Sequence, residues 1–201
     1  MPRKLAAVML LLVAALSFWG CSGATERQAN TIGPKTLAQE QKDLVGLLSD
    51  SQQEILLFSY AADAQYKDID VWVEIYRDGV LIEPRAGGIH QISDIEQPHT
   101  GEMAVIITQT PDFQWKFALS EGSGKVSSMS DPSPHYLSST RGYGPVTQPV
   151  AIEDGKEIVL YVSVFTDENS IHTLDEQAFV NQPELLKQYA YAHIIKCKFS
   201  K

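Results

Sequence analysis

Alternation of apolar and polar residues organises most of this chain. From Glu54 the period is two: Ile55, Leu57 and Ser59 alternate with Leu56, Phe58 and Tyr60. With little polar character on either side, this segment is expected to be a central strand. Val71, Val73 and Ile75 then alternate with Trp72, Glu74 and Tyr76 as far as Asp78 and Gly79. That dipeptide favours positive φ at both positions, so it predicts a two-residue hairpin running on into Val80–Glu83. A second hairpin is expected from Met103–Gln109 and from the row Phe113, Trp115, Phe117 and Leu119, which alternates with Gln114, Lys116 and Ala118. Glu157–Phe165 is largely apolar on both faces, as a core strand requires, and Tyr191, His193, Ile195, Cys197 and Phe199 mark one face of a closing strand.

The helical period is scarcer. Thr36 and Gln39 have capping-box spacing, and Leu37, Leu44, Leu47 and Leu48 recur near 3.6 residues, predicting a helix over Leu37–Leu48. Its polar side, with Gln39, Glu40, Lys42 and Asp43, predicts that it packs its other side onto the sheet. Thr173 and Glu176 repeat the spacing before Leu174–Val180, and Pro183 starts a fresh turn. Pro84–Gly101 reads as a polar connection, and Glu121–Gln148, rich in Ser, Gly and Pro, shows neither period. A short strand over Gln148–Ile152 and a turn at Asp154 and Gly155 complete the chain. No long helix joins consecutive strands, which disfavours βαβ units. The expected fold is mainly β, an antiparallel β-sandwich of seven or eight strands with two or three short peripheral helices.

Ahead of this domain, Arg3 and Lys4 precede an uncharged apolar run, Leu5–Leu16, that breaks at Ser17. The run is shorter than the roughly 20 residues of a membrane span, so it reads as a secretory signal over residues 1–20. Its end, Gly20 followed by Cys21, resembles the lipobox of bacterial lipoprotein precursors, although Phe18 and Trp19 depart from the usual residues there. The resemblance implies that Cys21 is acylated and becomes the first mature residue. The alternative is ordinary cleavage after Ala24 in the small-residue run Ser22, Gly23, Ala24, which would release the protein. In both cases Cys197 is left without an intramolecular partner, and no disulfide is expected. Residues 21–35 are mostly small and polar and read as a flexible tether. Residues 36–201 read as a single domain.

Charge narrows the partners. The chain carries −9, and Arg3 and Lys4 are the only charges before Cys21, so processing makes it more acidic by two. Nucleic acid is excluded as an expected partner, because phosphate contacts need clustered Lys and Arg. An anionic lipid surface should repel the domain as a whole, which leaves membrane attachment to the acyl chains on Cys21. The acidity itself needs no partner, since it favours solubility.

Linear signatures of catalysis are missing. Gly122, Ser123 and Gly124 lack the spacing of a nucleophile elbow, and Lys125 lacks the flanking residues of a phosphate loop. Cys197 alternates with Ile195 and Phe199 and reads as a small buried hydrophobe. His193 reads as a core residue. His90 and His99 flank Asp94 and Glu96 without metal-ligand spacing. Asp63, Asp68 and Asp70 lack the glycine and closing Glu of a calcium loop. No metal and no cofactor is therefore expected. Two candidates for ligand binding remain: the pair Trp72 and Tyr76, which share a strand face, and Arg141 and Tyr143 in the long Glu121–Gln148 segment, since Tyr and Arg are common interface anchors.

Val71–Glu83, Trp115, Pro149–Tyr161 and the closing Ile194–Phe199 segment loosely resemble uncharacterised Gram-positive lipoproteins, a likeness that carries no functional residue with it. The expected function is a non-catalytic binding or interaction module at the cell envelope, recognising a protein or a glycan. The alternative is an extracytoplasmic hydrolase or metal-dependent enzyme without a linear motif, centred on His90, His99 or Asp131.

Overall fold

The computed structural model describes residues 29–49, 52–93, 96–109, 112–133, 140–168, 179 and 182–201. It is mainly β. Among the described residues eleven strands run in chain order as β1 (Thr31–Pro34), β2 (Gln53–Ala62), β3 (Asp68–Arg77), β4 (Val80–Ile92), β5 (His99–Thr108), β6 (Gln114–Glu121), β7 (Gly124–Met129), β8 (Thr140–Pro145), β9 (Val150–Ala151), β10 (Glu157–Thr166) and β11 (Tyr191–Ser200). One α-helix, α1 (Gln39–Leu48), and a 3₁₀ helix over Pro183–Gln188 accompany them among the described residues. The signal expected over residues 1–20, Cys21 and the helix expected over Leu174–Val180 lie outside those residues, apart from Phe179.

Six strands form one sheet in the order β7-β6-β5-β2-β1-β9, and five form another in the order β4-β3-β11-β10-β8. Every pairing is antiparallel. The C-terminal strand lies at the centre of the second sheet, between β3 and β10. The Asp78–Gly79 turn forms as expected, with φ of 49° and 75°, a conformation that glycine adopts without steric cost.

The two sheets turn apolar faces towards a shared core. Phe58 and Tyr60 of β2, Val105 of β5 and Trp115 and Phe117 of β6 meet Val71, Val73, Leu160, Ile195, Cys197 and Phe199 of the other sheet. Burying each large side chain contributes about 1.5–3 kcal/mol, and a core of this size holds the fold with Cys197 as a free, buried thiol. A second, smaller core forms on the far side of the five-stranded sheet. There Val159, Val162, Val164, Ala192 and Ile194 are covered by Phe179, Leu186 and Tyr189, which is why β10 needs apolar residues on both faces.

Several expectations are corrected. The described residues form eleven strands rather than seven or eight, because β1, β7 and β8 carry no apolar period of their own. Strand β1 is four residues long and lies within the stretch expected to be tether, yet Ile32 is fully buried and the strand pairs with both β2 and β9. Strands β7 and β8 form edges of the two sheets and fall in the Glu121–Gln148 segment read as a long loop with neither period. An edge strand pairs on one side only and needs no apolar row, so Ser and Gly suffice. Strand β4 likewise runs on to Ile92, through residues read as a connection, with register shifts opposite Val73–Tyr76. Helix α1 starts later than expected: Ala38 is its N-cap, and Gln41 Oε1 accepts from the Ala38 N–H at 3.0 Å. Leu44 and Leu47 stay exposed instead of packing on the sheet. Among the described residues no helix is long and apolar enough to cross a membrane.

Candidate functional site

Arg141 and Tyr143 stand on the edge strand β8, and the register against β10 places Arg141 opposite Phe165 and Tyr143 opposite Ser163. The Arg141 side chain points between the sheets, where all three of its nitrogens are used. Nε donates to Ser163 Oγ at 2.7 Å, one terminal nitrogen donates to Glu54 Oε1 at 2.6 Å, and the other donates to Tyr161 OH at 2.6 Å. Glu54 comes from β2 of the opposite sheet, so this ion pair bridges the two sheets. Tyr161 OH donates to Glu54 Oε2 at 2.5 Å, and Gln109 Nε2 donates to Glu54 Oε1 at 2.8 Å. The carboxylate thus accepts three hydrogen bonds.

Aromatic rings complete the cluster. The guanidinium carbon lies 4.6 Å from the Tyr143 ring centroid, 5.7 Å from that of Phe113 and 5.8 Å from that of Phe165, all within cation–π range. Deeper in, His193 packs edge-on against Phe113 and Trp115, in keeping with its reading as a core residue. Burial drives the Tyr161 hydroxyl well above the usual phenol range; the Arg141 charge pulls it back, while the Glu54 charge and hydrogen bond raise it further. It stays a neutral donor across the physiological range. Tyr143 is the one member turned outward, 57% exposed over a guanidinium that is itself pinned.

Trp72 and Tyr76 share the outer face of the five-stranded sheet, on β3, and the structure gives them a different setting from an open aromatic row. Trp72 is only 6% exposed. Its indole N–H donates to Glu74 Oε1 at 3.0 Å, and Tyr76 OH donates to Glu74 Oε2 at 2.5 Å. Lys196 of β11 bridges Glu74 and Glu157, each at 2.9 Å. Burial raises the Glu74 carboxyl, but hydrogen bonds from Tyr76, Lys196 and Trp72 and the Lys196 charge outweigh it and hold the group below its usual range. Burial lowers Lys196 and its two carboxylate partners more than offset this, so the ammonium titrates above its usual range. The Arg85 guanidinium covers Trp72 at 5.5 Å and is held there by Asp70.

The remaining candidates are dispersed. His90 faces outward, 3.6 Å from Asp68, whereas His99 is buried with Nε2 2.9 Å from Glu121 Oε1. Asp63 is bound to Asn30, and Asp70 to Arg85. No group of three or more His, Cys, Asp or Glu among the described residues is arranged to hold a metal. Asp131 is exposed. The Cys197 thiol is driven far above the usual range by burial, which suits a packing role and not a nucleophile.

A family model for the YgaN domain matches residues 31–199. The chain belongs to the YgaN domain family. Its match begins at β1 and ends in β11, so the YgaN domain takes in both sheets and the Arg141 cluster. No curated relative and no solved structure matches the chain.

Two polar centres of the YgaN domain were not found by motif search. One is the Glu54 cluster; the other is Glu121, which contacts His99 and accepts from Tyr60 OH and from Gln91 Nε2, each at 3.3 Å. A usable signal existed for both. Glu54 shares the parity of Phe58 and Tyr60, and Glu121 that of Trp115, Phe117 and Leu119. An acid at the end of a buried stripe requires a buried partner.

Proposed function

We propose that this YgaN-domain protein is a cell-envelope lipoprotein whose β-sandwich is a non-catalytic binding module for an envelope protein or glycan. In this reading the two sheets pack as a sandwich, lipid on Cys21 anchors the chain outside the cytoplasmic membrane, and residues 22–30 form the tether. Cleavage after Ala24 and secretion is the alternative localisation.

The observation that carries the binding reading is Tyr143, an exposed aromatic ring stacked on a guanidinium whose three nitrogens are all engaged. A ring held in this way loses little freedom on contact with a ligand, which is the property of a recognition anchor. The neighbouring groups that could serve as acid, base or nucleophile are committed to one another instead: Glu54 accepts three hydrogen bonds, and Tyr161 is kept neutral. The Trp72 and Tyr76 row is tied down by Glu74 and capped by Arg85, so it ranks second as a contact surface.

Crosslinking of the intact protein in its own cells, with wild type compared to Tyr143→Ala, tests the proposal. Recovery of one defined envelope component by wild type, and its loss in the variant, is expected. Equal recovery by both would remove Tyr143 from the contact and overturn this site. Anchoring is tested separately with Cys21→Ala, which should abolish incorporation of radiolabelled palmitate seen in the wild type and, once the signal is removed, leave the protein in the soluble fraction.

A further inference from the structure

We propose that the outer face of the six-stranded sheet rests on an anionic phospholipid surface. The proposal depends on the lipid-anchored reading only for proximity: the ten residues from Cys21 to Thr31 span at most about 35 Å when extended. The chain as a whole is acidic, so the inference turns on how its charges are divided between faces.

On this sheet the outward positions alternate with the buried row of Trp115, Phe117 and Leu119. The outward charges are Lys35, Glu102, Lys116 and Lys125. Glu102 is taken by Lys35 at 2.5 Å. Lys116 and Lys125 form no ion pair among the described residues; across the β6–β7 ladder they lie opposite Met129 and Ser120. Ala118, Ser120 and Ser127 lie between them, Ile106 and Ala104 stand on the β5 side of Lys116 and Ala118, and Met129 is largely exposed. A hollow of about 220 Å³ is lined by Lys35, Lys125, Glu102 and Ser120 together with Leu57 and Ala118. Two ammonium groups with no ion-pair partner among the described residues, on a surface of small apolar and uncharged polar side chains beside the Lys35–Glu102 pair, fit the boundary between phosphate headgroups and acyl chains.

The opposite outer face is internally ion-paired: Arg85 holds Asp70, Lys196 bridges Glu74 and Glu157, Lys198 stands opposite Asp70, and Phe179 and Leu186 cover its apolar centre. Stacked sheets lie about 10 Å apart, and the screening length at physiological salt is about 8 Å. The acids of the far face are thus screened from anything touching Lys116 and Lys125, and the near face decides the contact. The lysines stand on separate strands of a sheet, with no groove to follow a polymer chain, which favours a bilayer over a soluble polyanion.

The test is co-sedimentation of the full chain with phosphatidylcholine vesicles, with and without phosphatidylglycerol. The apolar N-terminal stretch contributes to both, so the quantity read is the excess due to phosphatidylglycerol. Lys116→Glu with Lys125→Glu should reduce that excess by at least about 30-fold, since loss of each lysine's attraction alone is worth about fivefold. Lys187→Glu with Lys201→Glu makes the same change in net charge and should leave the excess in place. An unchanged urea midpoint for both pairs shows that folding is intact. Equal loss in the two pairs would mean that net charge and not this face is responsible, and would overturn the proposal. Equal wild-type binding to both vesicles, or retention on heparin without vesicle binding, would also overturn it. Failure of the anchoring reading would appear in the Cys21→Ala palmitate labelling and leave the vesicle difference unaffected.

Discussion

Replacement of Arg141 by Met should expose how much of the fold depends on one clamp between the sheets. The substitution keeps much of the aliphatic volume and removes three donated hydrogen bonds, to Ser163, Glu54 and Tyr161. Both Arg141 and Glu54 are 17% exposed at the side chain, so the pair lies between two regimes. Breaking a fully buried ion pair costs about 3–5 kcal/mol, whereas an exposed one is worth less than about 1 kcal/mol. Glu54 would retain its bonds from Gln109 and Tyr161, which places the expected loss near the lower end of the buried range, at about 3 kcal/mol. Urea unfolding followed by tryptophan fluorescence measures it, since Trp115 lies in the adjoining core, with linear extrapolation to water. Arg141→Lys keeps the charge but not the three-pronged geometry, and should recover less than half of the loss. A cycle with Glu54→Gln should give a coupling energy of about 1.5 kcal/mol or more. A cost for Arg141→Met below about 1 kcal/mol would refute the reasoning, because the cluster would then behave as a solvated surface pair.

The Glu74–Lys196 pair should shape stability against pH. Glu74 titrates below its unfolded value of 4.5, so its contribution is present above that pH and is lost as pH falls through the depressed value. Lys196 titrates above 10.5, so its contribution is complete below that pH and is lost as pH rises through the raised value. Urea midpoints measured across the range should therefore fall at both extremes, and Glu74→Gln should flatten the acid limb. Cys197 should resist iodoacetamide in the native protein and react once the chain is unfolded in urea, as read by peptide mass mapping; labelling of the native protein would contradict its burial. Gly101→Ala would place a methyl carbon 2.2 Å from the Tyr60 ring, and Tyr60 is packed against Phe199, so a loss of about 2–3 kcal/mol is expected in the same urea assay. Gly46→Ala meets nothing within 4 Å on helix α1 and should instead stabilise by about 0.5–1 kcal/mol.

The core strands were legible because each carries its own evidence. The alternation around Phe58, Val73, Trp115 and Ile195 is a property of single segments, and so is the turn at Asp78 and Gly79. The all-antiparallel arrangement follows from hairpins joined without long helices. Strands at sheet edges were not legible. Gly124–Met129 and Thr140–Pro145 are held by backbone pairing to a neighbour, which any sequence free of strong breakers can supply. The four-residue strand at Thr31 was hidden in a small, polar stretch for a similar reason, with only Ile32 to mark it.

The candidate site divides in the same way. Arg141 and Tyr143 could be picked out by residue type, but their partner Glu54 lies 87 residues away from Arg141, and only the stacking of the two sheets brings them together. Trp72 and Tyr76 do share a face, as spacing required, yet whether that face is open depends on Arg85, which reaches Trp72 from β4. The sequence by itself determined which residues had to be buried and where the chain reversed, since both are set within a few neighbours by side-chain hydrophobicity and backbone preference. The tertiary structure alone decided which buried charges meet, which aromatic ring stays exposed and which lysines are left outside the ion pairs of the described residues, because sheet order and register set the contacts between distant segments.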